Sequence, residues 1–242
     1  MATRGAKAKA AQVSGDRLLD AAVDVIRAKG YSATRVEDIC AAAGLTKGAF
    51  FHHFAGKEAC AIAAAAHFAA RADALFDAAP YAALADPRAR ALGYIDFRKA
   101  ILQGGLPQFT CLLGTMVQEA YETHPAIRQA CDRYIREHAD RLAADLAAAK
   151  AIYAPEATWK PESLALYTQA ALQGAFVLAK ASGGAEIAVE CLDHLRRYVE
   201  MLFGAPAPGR PAEASAARPA RTLDQRRRRS SEPGHEGYTG DR

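Results

Sequence analysis

The sequence predicts an all-α fold, and three observations support this. Hydrophobic residues make up 51% of the 242 residues, whereas aromatic residues make up only 8%. Much of the hydrophobic share is alanine, the strongest helix former, and the mean hydropathy of −0.12 is typical of a soluble protein. Apolar residues also recur at spacings of three and four between glycine and proline breaks. An all-β architecture is therefore excluded.

The charged residues divide the chain into segments of different sign. Residues 1–57 carry 9 Lys and Arg against 5 Asp and Glu, residues 58–204 carry 14 against 17, and residues 205–242 carry 8 against 5. The net charge of +4 therefore comes from the two ends of the chain. A basic first segment on a mildly acidic body is typical of a nucleic-acid-binding head, although solubility alone also produces such an asymmetry.

We expect four consecutive segments. Residues 1–13 are rich in Ala, Lys and Arg without apolar periodicity, which predicts a flexible basic arm. Residues 14–56 form a small helical head, and residues 57–204 form a larger helical body. Residues 205–242 are dominated by Pro, Ala, Gly and Arg and are predicted to be disordered. The run Arg226–Arg229 in this tail is either a non-specific phosphate contact or, more commonly, a solvated chain end.

Three short helices are predicted in the head. Ser14 is a suitable N-cap for the first, and Thr34 and Glu37 have the spacing of a capping box for the second. Gly44 ends the second helix, and Thr46 caps the third almost at once. Two short helices joined by so short a turn are typical of a helix-turn-helix. We place the three helices at residues 14–29, 35–43 and 47–54.

The body is predicted to be helical throughout, which gives about nine helices in all. A long helix follows Gly56 and ends near Pro80. The later helices are predicted at residues 86–102, 109–123, 126–152, 161–181 and 185–203. The longest apolar run, Ala59–Ala70, is shorter than the roughly 18 residues that a membrane span needs. No apolar segment follows the first basic residues, so we expect no secretory signal, no membrane contact and a cytoplasmic protein.

Composition argues against several kinds of site. The five cysteines are widely spaced without a Cys-x-x-Cys pair, which predicts neither a disulfide scaffold nor a zinc site. His52 and His53 are adjacent on a helix and point about 100° apart, so they are poorly placed to share a metal. No glycine-rich phosphate loop, nucleophile elbow or catalytic carboxylate pair is present, and we expect no cofactor and no enzymatic activity.

Residues 34–54, TRVEDICAAAGLTKGAFFHHF, with Lys57 and Glu58 just beyond them, strongly resemble the DNA-binding domain of TetR-family transcriptional regulators. The resemblance covers about residues 14–60. It implies an all-α homodimer in which the N-terminal helix-turn-helix head binds DNA and the C-terminal domain binds an inducer and dimerises. The body resembles one branch of the family more loosely, through residues 111–114, 118–119, 173–175 and 178–180.

The resemblance also implies which residues of the head contact DNA. Small side chains and free N–H groups at the start of the third helix suit close approach to phosphates and base edges. The family usually has tyrosine where this chain has Phe51, so one phosphate-bonding hydroxyl is missing. Phosphate contacts are implied at Thr46, Lys47, His52 and Lys57, base contacts at Gly48, Ala49 and Phe51, and a further DNA contact at Thr34.

A ligand cavity is expected in the body, with aromatic walls and few polar groups. The residues assigned to it are Tyr94, Phe97, Cys111, Met116, Trp159, Gln173, Phe176 and Lys180. Resemblance to electrophile-responsive members of the family places Cys111 opposite Lys180, as a reactive sensor; the alternative is an inert packed thiol. Resemblance also assigns the dimer interface to the last two helices, where Ile187, Cys191, Leu195, Tyr198 and Leu202 share a stripe.

The function predicted is a ligand-responsive repressor that binds a palindromic operator as a dimer and is released by a small-molecule inducer. One alternative is a thiol-based repressor induced by electrophiles or oxidants through Cys111. Two alternatives from other classes are a small-molecule enzyme or carrier, and a protein that compacts nucleic acid without sequence preference. A strong preference for one palindrome over random DNA distinguishes the repressor from the last of these.

Overall fold

The computed structural model describes residues 2–204, and this part of the chain is all-α without a β-strand, as predicted. It contains ten α-helices and one short 3-10 helix over Pro80–Ala83. The α-helices are α1 Ala2–Lys29, α2 Val36–Ala43, α3 Lys47–His53, α4 Lys57–Asp77, α5 Pro87–Ala100, α6 Leu106–Phe109, α7 Leu112–Ala120, α8 Pro125–Tyr153, α9 Pro161–Ser182 and α10 Glu186–Leu202. The predicted tail over residues 205–242 lies outside the described residues.

The first helix begins at Ala2, whereas we expected a flexible arm over residues 1–13 and a helix that starts at Ser14. Alanine, lysine and arginine are all good helix formers, so this segment extends α1 without needing an apolar face. Ser14 is consequently inside the helix and is not a cap. Its hydroxyl donates to the carbonyl of Ala11, one turn back, at 2.8 Å.

The start of α2 differs from the predicted capping box by one residue. The N-cap residue of α2 is Arg35, and its N–H donates to the carboxylate of Asp38, not Glu37, at 2.8 Å. Thr34 is buried, and its hydroxyl donates to the carbonyl of Gly30 at 2.6 Å, which ties the end of α1 to the start of α2. The other two turn signals are as predicted, because Gly44 is left-handed with φ 61° and Thr46 caps α3.

The helices pack around two hydrophobic cores. The first core joins α1, α2, α3 and the first half of α4, and it continues into α7 and the first turns of α8. Leu112 and Met116 of α7 are fully buried in it beside Leu18 and Ile26 of α1. The second core fills the rest of the body between α5, α8, α9 and α10. The head therefore shares its core with part of the body, so the boundary predicted at residue 56 is not a packing boundary.

Two details of the body concern helix boundaries. A short helix, α6, begins inside the break predicted over residues 104–107, since Pro107 suits the first turn of a helix, and it ends at Phe109. The next helix, α7, then begins at Leu112 instead of Phe109. By length and composition α4 is apolar enough to cross a membrane. It is nevertheless a helix of this fold and not a membrane span, because it packs against α1, α7 and α8.

Candidate nucleic-acid interface and internal cavity

The start and outer face of α3 form an exposed surface, which we call the α3 face: Thr46, Lys47, Gly48, Phe51 and His52. Phe50 on the opposite side is fully buried and anchors the helix in the head core. Phe51 is 56% exposed, although an aromatic ring in a monomer is normally covered. The Thr46 hydroxyl accepts the N–H of Ala49 at 3.2 Å, and the other N–H groups of the first turn point outward.

Two contacts of α1 hold the end of α3 and the end of α2. Ser14 Oγ and His53 Nε2 are hydrogen-bonded at 2.8 Å, and an Arg17 Nη donates to the Ala43 carbonyl at 2.5 Å. His53 is therefore a structural residue. The last turn of α3 is therefore fastened to α1 directly, and the end of α2 before it is fastened to the same helix.

Lys47 is paired with an acid on the surface. Its ammonium contacts the carboxylate of Glu37 on α2, and both side chains are more than half exposed. This hydrogen bond lowers the pKa of Glu37, so the carboxylate is charged at neutral pH. An incoming phosphate would have to compete with Glu37 for the ammonium of Lys47.

The structure places two predicted DNA contacts elsewhere. Thr34 is 1% exposed, so its hydroxyl does not reach the surface. The Lys57 ammonium donates to the carbonyls of Tyr31 at 3.1 Å and Thr34 at 3.0 Å, and lies 4.3 Å from the centre of the Tyr31 ring. In this structure Lys57 clamps the α1–α2 loop, and Thr34 is part of that loop.

A cavity of about 380 Å³ lies in the body between α1, α4, α7, α8 and α9. Cys111, Gln173 and Phe176 line it as predicted. Most of its wall is apolar, and Phe68, Phe76, Phe109, Leu113 and Ile135 contribute to it. Its polar lining includes Arg27 of α1, Arg98, His138 and Gln169.

Five predicted ligand residues do not line this cavity. Tyr94 is buried. Its hydroxyl is hydrogen-bonded to His138 Nε2 at 3.0 Å and accepts a hydrogen bond from Gln169 Nε2 at 3.0 Å. Phe97 packs on Phe76 in the body core. The remaining three are the fully buried Met116, the Trp159 ring packed on Phe203, and Lys180 in a second cavity.

Cys111 lies at the junction of the two cavities. The second cavity, of about 100 Å³, is lined by Cys111, Thr115 and Lys180. The Lys180 ammonium donates to the Thr115 hydroxyl at 2.8 Å, and burial lowers its pKa. Cys111 is half-buried, whereas Cys60 and Cys131 are buried in the first core, where burial raises the pKa of each to about 12.

The sequence analysis missed Arg27 and His138. Burial lowers the pKa of His138, which favours the neutral ring at pH 7. A signal for Arg27 was present in the sequence, because it follows Val23 by four residues and so shares the inward face of α1. It was overlooked because an arginine in the last turn of a helix usually lies in solvent.

The head and body are also joined by a hydrogen bond at the end of α1. Glu119 of α7 accepts the N–H of Ser32 at 2.8 Å. Gly30 adopts a left-handed conformation beside it, and a Cβ at Gly30 would lie 2.1 Å from the Glu119 carboxylate. The side chain of Glu119 thus ties α7 to the loop between α1 and α2.

The outer surface of α9 and α10 carries most of the large exposed apolar side chains of the body. They are Leu166, Tyr167, Val177, Leu178, Tyr198 and Met201, the last 77% exposed. The rings of Tyr167 and Tyr198 are 5.3 Å apart, so the two helices form one continuous surface. A Cβ at Gly174 would meet no atom within 4 Å. Leu195, assigned above to the interface stripe, is only 4% exposed and packs inside its own chain.

Comparison with known proteins gives two family matches. Residues 18–64 match the family model of bacterial regulatory proteins of the TetR family. Residues 87–187 match the model of the C-terminal domain of LmrA/YxaF-like transcriptional regulators. No curated protein matches the chain.

Several solved structures have the same fold. A TetR transcriptional regulator from Chloroflexus aurantiacus is 24% identical with a TM-score of 0.70, over 80% of this chain and 97% of that one. The regulatory protein TetR from Rhodobacter sphaeroides is 23% identical with a TM-score of 0.68, over 77% and 98%. The reduced form of NemR from E. coli is 21% identical with a TM-score of 0.66, over 76% and 95%. At these identities the likeness concerns the fold alone.

Proposed function

The chain belongs to the TetR family of bacterial transcriptional regulators, and from this we propose that it is a ligand-responsive repressor that binds a palindromic operator as a homodimer in the cytoplasm. The observation that carries the proposal is the exposed α3 face on a head that shares its core with a cavity-containing body. Regulators of this family are typically not enzymes, and we propose no catalytic activity here.

The α3 face has the properties of a helix that enters the major groove. Gly48 and the half-buried Ala49 let the helix axis approach base edges, and the exposed Phe51 ring can contact a thymine methyl. Lys47 and the free N–H groups of the first turn supply phosphate contacts. Phosphate contacts orient the head, and sequence preference comes from the base edges.

The outer surface of α9 and α10 is proposed as the dimer interface. Its exposed apolar side chains form one patch, and the open position at Gly174 allows a helix of a second copy to pack closely. A two-fold dimer presents two α3 faces, so its operator has two half-sites about 34–36 Å apart or a multiple of this spacing.

Release of DNA on ligand binding requires only that the body has two conformations, which differ in the distance between the two heads of the dimer. A ligand that binds the cavity more tightly in the DNA-free conformation lowers operator affinity by that difference in affinity. The shared core at α7 and the Glu119 to Ser32 hydrogen bond supply the mechanical connection.

Gly48→Glu tests the DNA-binding proposal. A Cβ at Gly48 would make only an ordinary contact with the Thr46 hydroxyl at 3.7 Å, and a carboxylate in the first turn of α3 suits the helix dipole. The fold should therefore be retained while operator affinity falls at least a hundredfold, because a negative charge now faces the phosphates. Ala83→Glu, at an exposed position of the body, is the matched control. Unchanged binding by Gly48→Glu in a fluorescence anisotropy titration would reject the α3 face as the DNA-binding surface.

A thiol sensor at Cys111 is the second candidate, and a specific observation favours it. Cys111 lines both cavities, whereas Cys40, Cys60 and Cys131 are buried. In this version the Cys111 sulfur adds to the β-carbon of an unsaturated carbonyl compound, and a proton adds to the α-carbon, so that no group leaves. The added volume in a packed body then favours the DNA-free conformation.

Cys111→Ser separates the covalent and non-covalent versions. It should abolish operator release by unsaturated carbonyl compounds, while Cys191→Ser, a second half-buried cysteine, should leave release intact. Intact mass recorded on the same samples reports the adduct. Release of operator without any adduct at Cys111 rejects the covalent version.

A further inference from the structure

Arg27 is a half-buried cation of α1 that lines the cavity. Its Nε is buried without a hydrogen-bond partner among the described residues. The guanidinium carbon lies 5.6 Å from the centre of the Phe68 ring, which compensates a cation only weakly. Burial also lowers the pKa of Arg27, yet a guanidinium keeps its charge at neutral pH.

The other two arginines of the cavity wall differ from Arg27. Arg71 is 66% exposed and is paired with Asp20. Arg98 donates to the Tyr94 hydroxyl at 3.1 Å, and its guanidinium lies 4.7 Å from the centre of the Phe76 ring.

The carboxylates of the wall make no hydrogen bond to Arg27 among the described residues, although the charge of Asp24 acts on its guanidinium. Asp24 and Glu137 are exposed to solvent, and neither makes an ion pair with Arg27 in the described part of the chain. Asp73 contacts Arg141 at 3.2 Å. A buried donor without a hydrogen-bonded partner is costly, so an anion that reached the Arg27 Nε would form the hydrogen bond that the described residues leave unformed.

The rest of the cavity indicates what kind of molecule would carry the anionic group. Four phenylalanine rings line it, and its volume of about 380 Å³ falls within the range of about 300–1,000 Å³ for small-molecule sites. The rings are those of Phe68, Phe76, Phe109 and Phe176. Such walls favour a flat apolar skeleton of about two rings.

We infer that the cavity binds a small aromatic carboxylic acid, with its carboxylate on Arg27 and its rings between the phenylalanine side chains. This inference rests on the proposed ligand-responsive function and names the ligand class of that site. Because Arg27 belongs to α1, the ligand would contact the helix that packs directly against α2 and α3. The ligand thereby pairs with a residue of the head while its apolar part contacts the body.

The test compares acids with uncharged alcohols of the same skeleton. Naphthoic acid is measured against naphthalenemethanol, and biphenylcarboxylic acid against biphenylmethanol, by calorimetric titration of the full chain at neutral pH. We expect each acid to bind at least tenfold more tightly than its alcohol, with one molecule per chain. Equal affinity for acid and alcohol, or no measurable binding of either acid, overturns the inference.

Variants of Arg27 assign the preference to this residue. Arg27→Met should remove the difference between acid and alcohol, and Arg27→Lys, which keeps the charge, should retain part of it. Arg71→Met is the matched control and should keep the full preference, because Arg71 is exposed and already paired. A full acid preference in Arg27→Met overturns the inference. Thermal melts verify that the variants are folded, and loss of a half-buried charge with an unpartnered Nε should not lower the melting temperature.

The ligand test can fail or succeed independently of the proposed repressor function. Ligand titration needs no DNA, so acid preference in a chain that binds no particular duplex would reject the repressor and keep the assignment of Arg27. Sequence-specific DNA binding without a preference for acids would keep the repressor and reject the assignment of Arg27.

Discussion

Lys47 on α3 and Lys57 at the start of α4 make different contacts, and methionine substitutions test whether their roles differ. Lys47 lies exposed on the α3 face, whereas the Lys57 ammonium contacts loop carbonyls. We expect Lys47→Met to weaken DNA binding electrostatically and Lys57→Met to destabilise the head.

The expected loss of stability follows from the contacts of Lys57. Two hydrogen bonds, to Tyr31 at 3.1 Å and Thr34 at 3.0 Å, and the ring contact at 4.3 Å would be lost, while a third contact, to Ser32 at 3.5 Å, is at the limit of a hydrogen bond. Hydrogen bonds to charged groups contribute about 1.5–3 kcal/mol each, and partial exposure reduces this. We therefore expect Lys57→Met to lower the free energy of unfolding by about 2–4 kcal/mol, which is roughly 5–15 °C in Tm.

The expected effect of Lys47→Met appears instead in the salt dependence of DNA binding. Each phosphate neutralised contributes a slope of about 0.9 in a plot of log K against log salt. A dimer has two copies of Lys47, so the slope should fall by about 1.8. Between about 50 and 200 mM salt, the variant's loss of DNA affinity should therefore be about tenfold smaller than that of the wild type. Its Tm should change little, because the pair with Glu37 is exposed.

The assay combines circular dichroism melts with fluorescence anisotropy titrations of the same samples over this salt range. Lys160→Met, an exposed lysine of the body, is the control and should change neither quantity. The reasoning fails if Lys57→Met keeps the wild-type Tm and lowers the salt slope as much as Lys47→Met does. That result would show that Lys57 leaves the loop and contacts phosphate.

Three further predictions concern other surfaces. Phe51→Tyr restores a hydroxyl on the α3 face and should tighten operator binding by about 0.5–1.5 kcal/mol in anisotropy titrations; unchanged affinity would show that position 51 contacts no phosphate. Leu178→Glu should convert the dimer to a folded monomer in sedimentation experiments, while Leu84→Glu, which is equally exposed outside the patch, should not; a persistent dimer would place the interface elsewhere. Glu119→Gln weakens the bond to the Ser32 N–H, so it should reduce the coupling between ligand and operator affinities, and full coupling in this variant would exclude that connection.

Much of the head could be predicted because its signals are local. The left-handed Gly44 and the Thr46 cap depend only on neighbouring residues, and both were located correctly. The cap of α2 was misplaced because Thr-x-x-Glu and the overlapping Arg-x-x-Asp both offer an acid three residues on. The Thr34 hydroxyl donates to the Gly30 carbonyl instead, so it does not cap α2, and the acid-spacing pattern alone does not show this.

The cavity could not be predicted to the same extent. Aromatic residues of a helical body are equally suited to a wall or a core, and only packing distinguishes Phe176, which lines the cavity, from Phe97, which packs on Phe76. Which polar side chains of the cavity wall can bind a ligand depends on which of them already have hydrogen-bond partners within the protein. Tyr94 is committed to His138 and Gln169, whereas the Nε of Arg27 has no partner among the described residues.

Selection of DNA from a library of random duplexes by the full chain, followed by sequencing, tests the central claim most directly. If two α3 faces of a two-fold dimer bind successive major grooves, the selected sequences should share an inverted repeat with half-site centres about 10–10.5 base pairs apart, or a multiple of this. The chain should also bind that repeat at least a thousandfold more tightly than a scrambled duplex. A selected pool without an inverted repeat, or equal affinity for the scrambled duplex at moderate salt, would contradict the account.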